Sequence, residues 1–286
     1  MSPVHWIFMA LVLFGALSCG PAAGAVSVTS ATDEGQDAWK ITTATATYYL
    51  QKKAGGLSSM LDKDGRDWIS FNKNPGSSGM YRGIPNLIYP DDIYHPDHTW
   101  CSTRIISHSS SKVVIDATSS RKGSSHATYE FTDERCLVTM HHSTHNSGLY
   151  WFLYEGTPGG SLEPSSDYWF TATRSTRTQC AIPQNKDLQE SMAGTGEWIC
   201  FGDPNYGRVM FFVHHENDTL PDQFYQMENN MTVFGFGRSR TTKHLAGCNT
   251  FSFGFYESDD FDAVKTFIET HLAPSSQHQS AQEEPH

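Results

Sequence analysis

Basic residues are scarce in this 286-residue sequence. Lys and Arg number 20 against 31 Asp and Glu, a formal net charge of −11. A surface so acidic repels polyanions, which argues against nucleic acid and anionic membrane as bulk partners. An anionic substrate would need a locally basic cleft. Long apolar runs are also missing, except in the opening "HWIFMALVLFGALSCGPAAGA". That run is short for a bilayer span and ends in small residues, so it reads as a signal peptide over 1–25, cut at Ala23-Gly24-Ala25. Lipidation at Cys19 is the rival, but Ala16 stands where a lipobox prefers leucine. The expectation is an exported, secreted or periplasmic chain with no membrane span.

Several catalytic signatures are absent too. There is no G-x-S-x-G elbow for a serine hydrolase, no phosphate-cradling glycine loop, and no H-E-x-x-H or paired cysteines for a metal. After the leader the cysteines are Cys101, Cys136, Cys180, Cys200 and Cys248. The set is odd, so an oxidising compartment leaves at least one unpaired. Cys180–Cys200 is the expected disulfide, and the others read as small buried apolar residues. Asn217-Asp218-Thr219 and Asn230-Met231-Thr232 fit the glycosylation sequon.

What remains is a chain of strands. "KVVIDATS", "ATYEFTD", "CLVTMHHS", "GLYWFLYEG", "YWFTATR", "EWICFGD", "RVMFFVHH", "MTVFGFGR" and "NTFSFGFYE" are short runs rich in aromatic and β-branched residues. Gly, Asp, Asn and Pro punctuate them. Earlier, Gly55-Gly56 and Asp64-Gly65 mark turns between strands. One helix is legible, "DDFDAVKTFIETHL", with Asp259 or Asp260 as cap and Ala263, Val264, Phe267, Ile268 and Leu272 as its apolar stripe. The expected fold is all-β: a large antiparallel β-sandwich over 26–273 with one C-terminal helix. The tail 274–286 has no core formers and is expected to be disordered. "GLYWFLYEG" is apolar on both faces and reads as a central strand, with Tyr150, Phe152 and Tyr154 on one face and Trp151, Leu153 and Glu155 on the other.

Histidine is frequent, at 14 residues, and gathers at His95–His98, His141–His145 and His214–Glu216. Adjacent histidines on a strand face opposite ways, so His141 with His142 needs a bulge to share a site. No cofactor is expected, with a divalent metal on these histidines as the alternative. Acid–base chemistry on a sugar fits the residue types better. Histidine titrates near neutrality, tyrosine can do so beside a cation, and arginine clamps a carboxylate with two bonds. Arg82, His95, His142 and Tyr154 are the candidate catalytic residues. Asn86, His98, Trp151 and Arg238 are the candidate substrate contacts, with Tyr168, Trp169 and Trp198 as further stacking platforms. The aromatic, proline-stiffened stretch Gly79–Trp100 is the expected substrate loop, presenting Arg82 and His95. A carboxylate-pair glycosidase would draw on Glu155, Glu216 or Glu228.

The stretch "YYLQKKAGGLSSMLDKDGRDWISF" resembles the opening of galactose-mutarotase-like β-sandwiches, and among them the N-terminal domain of rhamnogalacturonan lyases. "YRGIPNL", "YHPDHT", "WFLYEGTPGG", "VHHEND" and "NMTVFGFGR" resemble motifs of exported proteins from polysaccharide-degrading bacteria. These resemblances imply a β-sandwich and a polysaccharide or oligosaccharide partner. No motif matches the catalytic lysine and histidine of the lyases, so those roles are not carried over. The leading expectation is a lyase that cleaves a uronic-acid-containing glycan by β-elimination. A non-catalytic carbohydrate-binding protein and a glycoside hydrolase or epimerase are the alternatives.

Overall fold

A computed structural model describes residues 24–69, 83–88, 101–120, 124–143, 148–181, 188–190, 197–216, 222–227, 231–237 and 245–272. The first strands are β1 (Ser27–Asp33), β2 (Gln36–Thr42), β3 (Ala46–Gln51), β4 (Leu57–Asp62) and β5 (Asn86–Ile88). There follow β6 (Cys101–His108), β7 (Val113–Ser119), β8 (Ser125–Phe131), β9 (Cys136–Ser143) and β10 (Leu149–Gly156). Next are β11 (Tyr168–Thr171), β12 (Arg174–Gln179), β13 (Leu188–Glu190), β14 (Glu197–Gly202) and β15 (Val209–His214). The last are β16 (Asp222–Met227), β17 (Met231–Phe236), β18 (Leu245–Ala246), β19 (Asn249–Tyr256) and helix α1 (Phe261–His271).

All pairings are antiparallel. One layer is a nine-stranded sheet in the order β12-β11-β14-β15-β19-β9-β8-β7-β6. Facing it are a four-stranded sheet, β1-β2-β3-β4, and a six-stranded sheet, β13-β16-β17-β10-β18, with β5 also on β10. Isolated bridges at Leu57–Ile84 and Ile69–Gly156 join the two smaller sheets.

Strand alternation builds the core. Tyr150, Phe152 and Tyr154 of β10 meet Phe251 and Phe253 of β19 and Phe212 of β15 in one buried cluster. Phe152 and Phe251 stack across the layers with ring centres 3.8 Å apart. Tyr48 meets Phe131 at 5.1 Å on the side of the four-stranded sheet. Each such ring contributes roughly 1.5–3 kcal/mol by leaving water. The opposite face of β11, β14 and β15, with Phe170, Trp198 and Phe211, packs under Val264, Ile268 and Leu272 of the helix. Asp260 caps that helix, its side chain accepting from the Ala263 amide, and the apolar stripe lies where the sequence puts it.

The first hairpin turns on Glu34 and Gly35, both at positive φ. This is the primed geometry that matches strand twist, so β1 pairs with β2 residue for residue. The turn after β4 is tied down by charge. Arg208, with its side chain 5% exposed, lies 2.8 Å from Asp62 and 2.6 Å from Asp64. Trp68 Nε1 donates to Asp62 at 3.2 Å, and the Arg66 guanidinium sits 3.8 Å over the Tyr206 ring. The "DKDGRDW" stretch is therefore a clamp between the layers.

The expected Cys180–Cys200 disulfide does not form. Cys180 lies in the core between the layers and Cys200 under the helix, on opposite sides of the large sheet. No described cysteine is in a disulfide. Burial holds the Cys180 and Cys200 thiols above their ordinary pKa, so they behave as small apolar groups.

Candidate functional site

The six-stranded sheet has a second face, turned away from the large sheet. On β10, Trp151, Leu153 and Glu155 take that face because their neighbours Tyr150, Phe152 and Tyr154 take the core. Register extends it sideways. Leu153 pairs with Gly235 of β17, which pairs with Gln223 of β16. Glu155 pairs with Val233. On the other side of β10, Asn86 stands opposite Leu153 and Ile88 opposite Trp151.

This face is unusual in being polar and buried at once. Glu155 is 4% exposed and Gln223 1%. The Gln223 amide nitrogen has no hydrogen-bond partner among the described residues. An amide withdrawn from water without a partner costs about 1–3 kcal/mol, so such groups are kept where something else is to be met. Gly235 stands between Leu153 and Gln223 in the register and offers no side chain there.

The residues expected from sequence divide. Trp151 and Asn86 stand on neighbouring strands of this face. Arg82 immediately precedes the described segment that leads into β5, and Arg238 immediately follows Gly237 at the end of β17, but both lie outside the described residues. So do His95 and His98, and the Gly79–Trp100 loop except for 83–88. His142 is exposed on β9 of the large sheet, in the other layer. Tyr154 points into the core, 1% exposed, and its hydroxyl donates to the Trp68 carbonyl at 3.0 Å. Burial raises its pKa well above the ordinary value, and the nearby Cys180, Asp167 and Asp67 raise it further. It is held as a neutral donor, the reverse of what a base needs. Of the proposed stacking platforms, Trp169 and Trp198 are fully buried and Tyr168 nearly so. Gln223 carries no motif and was not legible.

The His214–Glu216 cluster is a buried ion network. His214 Nδ1 lies 2.8 Å from Glu197 Oε2. Its Nε2 faces Asn249 Oδ1 at 3.0 Å and Glu216 Oε2 at 3.3 Å. Asn249 in turn donates to the Tyr150 hydroxyl at 2.7 Å. Both ring nitrogens face acceptors, so the protonated ring fits. Burial alone would depress its pKa, but the bonds to Glu197, Glu216 and Asn249 overcome this and hold it at about 10. His215 turns the other way, to Ser252 at 2.7 Å. Among the described residues no group of three or more His, Cys, Asp or Glu is arranged to hold a metal ion.

No known family model matches the chain, and no curated protein resembles it in sequence. Solved structures resemble it in fold. HI1317 superposes with a TM-score of 0.54 at 13% identity, over 87% of this chain and all of that one. YeaD of Salmonella typhimurium, a candidate mutarotase, superposes with a TM-score of 0.50 at 10% identity, over 80% of this chain and 93% of that one. A galactose mutarotase related enzyme from Lactobacillus acidophilus gives 0.47 at 9% identity, over 78% and 99%. The fold is thus a galactose-mutarotase-like β-sandwich. The resemblance to rhamnogalacturonan lyases gains no support from these structures.

Proposed function

We propose that the protein binds a carbohydrate on the outer face of the six-stranded sheet and processes it by proton transfer, as an epimerase of aldoses or of sugar units in an oligosaccharide. The observation that carries this reading is a buried carboxylate, Glu155, four residues along β10 from Trp151 on the same outward face, with a Gln223 amide nitrogen that has no partner among the described residues two strands away on that face. In this reading Trp151 stacks on the pyranose ring and Gln223 binds a hydroxyl. Glu155 takes the proton from the anomeric hydroxyl as C1=O forms and the C1–O5 bond breaks, water protonates the released O5, and reclosure by the reverse transfers returns either anomer. Arg82, Asn86 and Arg238 adjoin the same strands in sequence and belong to the reading as substrate contacts. Export in the secreted or periplasmic manner belongs to the reading, through the segment 1–25.

β-Elimination would begin with proton abstraction too, but it needs a cation against the uronate carboxylate. The described part of this face holds none, so a lyase would depend on Arg82 or Arg238. The experiment is a panel of freshly dissolved aldoses and uronate-containing polysaccharides, followed by polarimetry and by ultraviolet absorbance of unsaturated product. Faster anomer exchange, lost in Glu155→Gln with the fold intact, is the expected result. Unsaturated product would replace the epimerase with the lyase. Glycan binding with neither product would make the protein a binding module.

A further inference from the structure

The outer face of the large sheet carries a second feature, remote from the face above and on the other layer. Between β8 and β9, His126 pairs with His142, yet the next pair is Ala127 with Met140. His141 is the extra residue of a β-bulge. The bulge defeats the ordinary alternation, so His141 and His142 are both exposed. His126 stands between strands to meet them. Its ring stacks on His141 with centres 4.5 Å apart and lies 5.8 Å from His142.

Among the described residues the charges around these rings are few. Asp116 of β7 is in contact with His126 Nε2, and Arg104 Nε of β6 lies 3.2 Å from it. Thr128 Oγ1 is 2.7 Å from His141 Nε2. Further along β8, Glu130 is matched by Lys112 at 3.0 Å. Among the described residues one carboxylate, Asp116, therefore answers Arg104 and the three imidazole rings. Burial and the charges of His126 and His142 depress the pKa of His141, against the pull of Asp116. Protonation of His141 is resisted until another anion arrives.

We propose that His126, His141 and His142 form an oxyanion site that takes carboxylate- or sulfate-bearing sugar units when protonated. The anion supplies the missing negative charge, so binding and proton uptake favour each other. The overall acidity of the protein opposes non-specific anion binding, so the affinity is local to these rings.

The test is calorimetric titration of the full chain with trigalacturonate, with a sulfated disaccharide and with neutral maltotriose, in EDTA, at about pH 5 and about pH 7.5. Both anions are expected to bind at least ~10-fold more tightly at the lower pH, since each linked proton gives up to about tenfold per pH unit. Maltotriose should show no such dependence. His141→Gln with His142→Gln should remove the effect while leaving the melting temperature unchanged, because both side chains are exposed. Glu155→Gln should keep it, which separates this site from the proposed catalytic face. Binding of only one anion would narrow the site to that ligand and still support it. Absence of binding at low pH, pH-independent binding, retention in the double variant, or binding only with added metal would each overturn the proposal.

Discussion

Replacing His214 with glutamine isolates one buried charge pair. The side chains of His214 and Glu197 are 1% and 0% exposed and lie 2.8 Å apart. Glutamine keeps most of the volume and some hydrogen bonding but removes the positive charge. Glu197 is then a buried carboxylate without its cation, a state that costs about 3–5 kcal/mol. That is a large part of a typical stability of about 5–15 kcal/mol. The pH dependence gives a sharper test. The folded pKa of His214 is raised, so its contribution is fully present below the unfolded value of about 6.5 and is lost as pH rises toward about 10. Within that window the loss approaches about 1.4 kcal/mol per pH unit. Wild type should therefore lose about 2 kcal/mol more than His214→Gln between about pH 7 and about pH 8.5. Buried thiols also weaken the fold at the upper end, but equally in both proteins, so the difference reports His214 alone. Denaturant unfolding at the two pH values measures it. Parallel losses in the two proteins would refute the view that a protonated ring holds this network.

Arg208→Met should destabilise by about 3–5 kcal/mol, because Asp62, fully buried, loses the charge set 2.8 Å from it; a fall of less than about 1 kcal/mol in urea unfolding would make the clamp ornamental. Phe152→Ala should cost about 3–5 kcal/mol by removing the ring stacked on Phe251, again read from urea unfolding, with secondary structure retained by circular dichroism. Under denaturing, non-reducing conditions Cys180 and Cys200 should both react with maleimide, and mass spectrometry would reveal any protection that implies a disulfide.

The fold was legible to a large extent. Alternation in "GLYWFLYEG" assigned Tyr150, Phe152 and Tyr154 to a common face, and these three do enter the core. The helix and its Asp260 cap were readable because capping and the apolar stripe are local properties. The hairpin at Glu34-Gly35 was missed, since "SVTSATDEGQ" has few of the aromatic residues that mark the other strands. Of the candidate site residues, Trp151 and Asn86 were chosen by residue type, and the structure sets them on adjoining strands. Tyr154 was misjudged because parity says that two sets of residues face opposite ways without saying which set meets the core. The Cys180–Cys200 pairing failed for the same reason, with proximity in sequence taken for proximity across a sheet.

By itself the sequence determined what depends on neighbours along the chain: strand and turn positions, the capped helix, the acidic balance and the short supply of catalytic motifs. Tertiary structure alone decided what depends on pairing between distant strands. His214 meets Glu197 and Asn249 from 17 and 35 positions away. His126 meets His141 and His142 only through the register of β8 with β9 and the bulge within it. A period of two fixes opposite faces along each strand, but register and layer packing choose which residues meet and which face is buried, and those are settled by the whole core at once.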